Sequence, residues 1–142
     1  MSLTFHEKSI WISLVTVTAL FGFYFFVAFN FIAGYADPDA NIVGLFILVV
    51  VLVIIVEAVS HTALAIKFRK EANAAPDERD KLIELKATRN AYYLLVGGVW
   101  TAGIAMLFTD SVFIIANIIM FFFIVAEIIG FVTQLRYYRQ GV

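Results

Sequence analysis

The chain has no cysteine, two prolines and few charges: Asp, Glu, Lys and Arg together make up 15% of its 142 residues. Without cysteine there are no disulfides, no thiolate zinc sites, no Cys-ligated clusters and no Cys nucleophile. With so little charge the chain cannot cover a solvated surface. Its hydrophobic content of 63% and mean hydropathy of +0.95 lie outside the range of soluble domains. The composition is that of a single transmembrane domain over residues 1–142. The N-terminal MSLTFHEKS leads into an apolar run too long for a signal-peptide core, and no small-residue cleavage site follows, so a retained first helix is expected.

What charge there is lies in a few short segments. Between them, apolar runs at roughly 10–34, 42–66, 91–108 and 112–135 match the ~20 residues a helix needs to cross a hydrocarbon core. The expected fold is therefore an all-α, four-transmembrane-helix bundle. Two connections are short, GYADPDAN and TDS, and the third, residues 67–90, is long and charged. With four crossings, Lys8, Lys67, Arg69, Lys70, Arg79, Lys81, Lys86, Arg89, Arg136 and Arg139 share one side, and Asp37, Asp39 and Asp110 face the other. The positive-inside rule then puts both termini in the cytoplasm. Pro76 followed by Asp77 and Glu78, with Asn73 as a capping candidate, reads as a helix start, and nothing interrupts the pattern before Tyr92. The third membrane helix is thus expected to extend into the cytoplasm as one rod from about Pro76 to Phe108.

At an offset of seventy residues, VIIVEAVSHTALAIKFRKE matches FIVAEIIGFVTQLRYYRQG, pairing Glu57 with Glu127 and Arg69 with Arg139. The pattern is that of a duplicated helical hairpin. Both hairpins start from the same side, so the inverted repeat of many alternating-access transporters is absent.

Glu57 and Glu127 lie nine or ten residues from their basic clusters, about 14 Å inward. A carboxylate at such depth costs about 2.5–3.5 kcal/mol on insertion scales and calls for a partner or a task. His61, four residues after Glu57, shares its helix face. Glu57, His61 and Glu127 are thus the candidate ion- or proton-binding residues, with the two carboxylates expected to turn inward and share a proton. The same three are the candidates for a metal ion, the one cofactor the donors would suit, although no Glu-x-x-His pair completes a di-iron set. Gly98, Ala102 and Ala105 on the third span, and Gly130 with Ala126 on the fourth, make small-residue packing faces, within the chain or between copies. Thr101, Asn30 and Asn117 are expected to form interhelical hydrogen bonds. Lys67, Arg69 and Lys70 stand where anionic lipid headgroups would be met. Neither a phosphate loop, a Ser-His-Asp set nor a basic stripe for nucleic acid is present, which leaves lipid and other membrane subunits, or further copies of the chain, as partners.

The stretch PDERDKLIELKATRNAYY, through Asp77, Glu78, Arg79, Asp80, Arg89, Tyr92 and Tyr93, resembles small, largely uncharacterised prokaryotic membrane proteins with a D-E-R-acid run before a Tyr-rich helix. The resemblance implies a four-helix protein of the prokaryotic cytoplasmic membrane and transfers no activity. AEIIG, residues 126–130, is similar to the Glu-containing motif of small multidrug-resistance exporters, but it lies in the last span and not the first. Three functions are open at this point. The first is proton- or cation-linked translocation through the intramembrane carboxylates. The alternatives are a non-catalytic module that assembles with partner subunits and a metal-dependent membrane enzyme.

Overall fold

The computed structural model describes residues 4–33, 40–73 and 77–140, and these form five helices with no strand among the described residues. They are α1 (Phe5–Ala33), α2 (Ala40–Lys67), α3 (Arg69–Ala72), α4 (Glu78–Ala105) and α5 (Val112–Gln140). The turn at residues 34–39 and the segment 74–76 that holds Pro76 lie outside the described residues.

Three helix starts carry their own capping side chains. Before α1, Thr4 Oγ1 accepts from the Glu7 N–H at 3.2 Å and the Thr4 N–H donates to Glu7 Oε2 at 2.9 Å, a capping box. Ahead of α4, Asp77 and Asp80 do the same, so Asp77 is the cap and not Asn73, which instead closes α3. Ser111 Oγ accepts from the Ile114 N–H at the start of α5. Between α2 and α3 the backbone breaks at Phe68, with φ −115° and ψ 39°.

The expectation of four membrane-crossing helices is corrected. Among the described residues, three helices are long and apolar enough to cross: Phe5–Asn30, Ile42–Lys67 and Val112–Gln140. The fourth, α4, fails for two reasons. Its α-helix stops at Ala105, and Leu107 and Phe108 close tighter turns onto Ile104 and Ala105. The apolar part from Ala91 is then only about 22 Å long, against a hydrocarbon core of about 30 Å. Within it Tyr92, Tyr93, Thr101 and the glycines Gly97, Gly98 and Gly103 dilute the hydropathy. Counting an apolar run through Phe108 overstated it.

α1 packs against both α2 and α5, and α4 lies along α5. At one end, the start of α1 meets the end of α2, where Lys8 Nζ sits 3.8 Å over the Phe68 ring. The start of α4 meets the end of α5 there too, where Arg79 donates to the Tyr138 carbonyl at 3.1 Å. This is the charged end of the molecule. Phe21, Tyr24, Phe25 and Ala28 of α1, Ile42 and Val49 of α2, and Ile124 of α5 form the core further along. Edge-to-face rings, Tyr24 on Phe46 and Phe25 on Phe121, fix its geometry. Trp100 and Phe108, 72% and 83% exposed, face outward.

Small residues set the α4–α5 contact. Gly98, Ala102, Ala126 and Gly130 are buried and Ala105 is half-buried. A Cβ on Gly98 would fall on the Phe122 side chain, so only glycine allows this approach. Of the three polar residues expected to bond between helices, Asn117 does, accepting from the Tyr24 hydroxyl at 2.8 Å. Thr101 and Asn30 instead bond back to carbonyls four residues earlier in their own helices, Gly97 and Phe26. A back-bond satisfies a hydroxyl or amide without needing a neighbour.

Candidate functional site

Two i,i+4 pairs face each other across α1 and α2 near the charged end. On α2, His61 Nε2 lies 2.7 Å from Glu57 Oε2. On α1, Ser9 and Ser13 present their hydroxyls to the same two residues. Ser13 Oγ donates to Glu57 Oε2 at 2.7 Å and lies 3.1 Å from His61 Nε2, and Ser9 Oγ lies 3.1 Å from His61 Nδ1. With Glu57 ionised, one proton arrangement supplies a proton to every contact except the Ser13 Oγ–His61 Nε2 approach. The Nε2–H and the Ser13 O–H both point to Oε2, and the Ser9 O–H points to Nδ1. The second carboxylate oxygen of Glu57, Oε1, is buried and has no hydrogen-bond partner among the described residues.

The serines were not singled out from the sequence, but they left a signal. Ser9 and Ser13 repeat the spacing of Glu57 and His61, and both pairs sit at similar distances from the charged ends of antiparallel helices. Buried Thr16 extends the line of small polar side chains on α1 by one more turn.

The structure does not bring Glu127 into this cluster. The contacts of Glu57 go to Ser13 and His61, whereas Glu127 lies on an exposed face of α5. Its neighbour Ala126 occupies the buried position. α5 is apolar all round, so its sequence gave no face to prefer. Among the described residues no three His, Asp or Glu side chains lie close enough to hold a metal ion together.

Ser9 also borders a second polar space. With His6, Asp80, Glu84, Gln134 and Tyr138 it lines a cleft of about 250 Å³ between α1, α4 and α5 at the charged end. The Tyr138 hydroxyl donates to Asp80 Oδ1 at 2.7 Å, and His6 Nε2 lies 3.7 Å from Oδ2. Burial alone would raise the Asp80 carboxyl. Hydrogen bonds from Tyr138 and the Asp77 N–H, with the nearby His6 and Arg79, outweigh it and hold the group below the usual carboxylate range. Ser9 thus joins a solvent-side cleft to the imidazole of His61. Lys67, Arg69 and Lys70, the expected headgroup contacts, are exposed at the end of α2 and in α3.

Three long apolar helices, a buried aromatic core and a polar cluster within a span define a helical integral membrane protein. The family model for "predicted membrane protein (DUF2178)" matches residues 6–142, and the chain belongs to that family. Among curated proteins and among solved structures, nothing matches it.

Proposed function

We propose that the protein moves protons, or a cation exchanged against protons, across the bilayer through the Glu57–His61 pair. One observation carries the reading: within a cluster whose other polar atoms are all paired, Glu57 Oε1 is buried without a partner. A buried carboxylate oxygen left so costs about 1–3 kcal/mol or more, a cost that a proton or a coordinated cation removes. The chemistry follows from the hydrogen bonds. A proton reaching Nδ1 through Ser9 makes His61 an imidazolium, the Nε2 proton then passes to Glu57, and the imidazole is left neutral with its proton on Nδ1. The cleft at His6, Asp80 and Glu84 supplies the solvent side of this route.

The test is flux into liposomes that enclose a pH-sensitive dye, measured for wild type, Glu57→Gln and His61→Gln. Wild type should acidify the lumen along an imposed gradient and both variants should not. No flux from wild type, or full flux from Glu57→Gln, ends the reading.

A second reading, assembly of several copies, also has one observation in its favour. Glu127 is exposed near the middle of α5, about 20 Å from either helix end. Lipid is a poor environment for that carboxylate, and a second protein surface is a better one.

A further inference from the structure

The face of α5 opposite the polar cleft meets α1 in an open groove of about 390 Å³. Val132, Leu135, Arg136 and Arg139 follow the i, i+3, i+4, i+7 spacing of one helix stripe, and Trp11 and Leu14, three apart on α1, form the other wall. α1 starts where α5 ends, so the groove is graded along its length. Arg139 and Arg136 stand at the charged end, Trp11 lies beside them, and Leu14 and Val132 lie deeper. No acidic side chain lines it, and neither arginine meets a carboxylate among the described residues. Arg79, by contrast, is engaged with Tyr138.

We infer that this groove binds one anionic phospholipid, with its phosphate held by Arg136 and Arg139 and an acyl chain laid along Leu14 and Val132. Two guanidinium forks three residues apart suit a phosphate diester, which takes parallel N–H donors and sits at the depth where an arginine stem ends. Trp11, 36% exposed at the boundary between charge and apolar wall, occupies the position that indole favours at a headgroup. A soluble phosphate would use the arginines but not the apolar floor. A zwitterionic lipid would use the floor but bring its own cation to the arginines. The site is separate from Lys67, Arg69 and Lys70, which stand on other helices and do not line this groove. It does not depend on the proton reading of Glu57.

Trp11 itself reports occupancy. Trp100→Phe leaves it the single tryptophan of a chain that has two, and Trp100 is exposed. In vesicles, dibrominated phosphatidylglycerol competing with phosphatidylcholine should quench Trp11 with a preference of about tenfold over its bulk fraction. Arg136→Gln with Arg139→Gln should reduce that preference below about twofold, and each single substitution should give roughly threefold loss. Lys67→Gln with Arg69→Gln should leave it intact, and glycerol phosphate should not displace the lipid. Circular dichroism and a monodisperse elution profile establish folding for each variant. Equal quenching by both lipids overturns the inference, as does a preference that survives the loss of both arginines. Equal loss in the Lys67/Arg69 variant would assign the preference to general surface charge and overturn the site as well. Displacement by glycerol phosphate would make it an anion site without a lipid.

Discussion

Ser13 of α1 donates to the Glu57 carboxylate of α2 at 2.7 Å, so the polar cluster also fastens two helices together. In lipid such interhelical bonds contribute about 0.6–2 kcal/mol, because the separated helices find other partners. Ser13→Ala should therefore lower stability in detergent unfolding by about 1 kcal/mol. In a cycle with Glu57→Gln the two losses should fall short of additive by roughly 0.5 kcal/mol or more. Additive losses would show that the bond contributes nothing.

The two halves of this cluster differ in how far they were legible. Glu57 and His61 are local, four residues apart on one helix, and helical geometry alone brings them together. Their partners Ser9 and Ser13 depend on the register of α1 against α2, which a single sequence does not state. The spacing hinted at it and nothing more. Glu127 shows the reverse case. Its depth could be counted from the basic cluster, but its facing is decided by Gly98, Ala126 and Gly130, which turn another side of α5 to α4. In α4 the apolar run was visible and its end was not, because Met106, Leu107 and Phe108 are as apolar as the helix that precedes them. Backbone turning, not hydropathy, ends the helix there.

Gly98 offers a test of the α4–α5 contact that leaves the polar cluster alone. Gly98→Ala puts a methyl where Phe122 already lies, and overpacking of this kind costs about 1–3 kcal/mol. The obstacle is the Phe122 Cβ and Cγ, which Leu would keep and only Phe122→Gly removes, so Gly98→Ala should be close to neutral in a Phe122→Gly chain. Unfolding midpoints of the two single variants and the double variant decide the matter. A neutral Gly98→Ala would mean that the helices sit further apart than described.

Acid should loosen the charged end. The Asp80 carboxyl titrates lower in the folded chain than it would unfolded, so its contribution is complete above the ordinary Asp range, about 4. It declines as the pH falls below that range and the folded group takes up its proton. Tyr138, the Asp77 N–H, His6 and Arg79 favour the ionised form, with Glu84 also bordering the cleft. Nitroxide labels at Lys81→Cys and Arg136→Cys can be placed cleanly because the chain has no cysteine of its own. Their distance distribution should be narrow at neutral pH and broaden below pH ~4. Asp80→Asn should be broad at both. A wild-type distribution that ignores acid would remove Asp80 from the forces that close this end.

Glu127 separates assembly from lipid exposure. If α5 pairs with a second copy, Glu127 finds its donor across that interface, and its loss should weaken association without disturbing Ser9, Ser13, Glu57 or His61. Energy transfer between differently labelled copies, followed as the protein is diluted with lipid, measures this directly. Wild type should show transfer that falls on dilution, and Glu127→Ala should need about tenfold more protein for the same signal, a change of about 1.4 kcal/mol. Insertion scales put removal of a mid-span carboxylate at about 2.5–3.5 kcal/mol in favour of the single chain, so a purely lipid-facing Glu127 predicts higher thermal stability for Glu127→Ala. Raised stability with unchanged transfer would therefore exclude the interface and leave Glu127 as a lipid-facing charge.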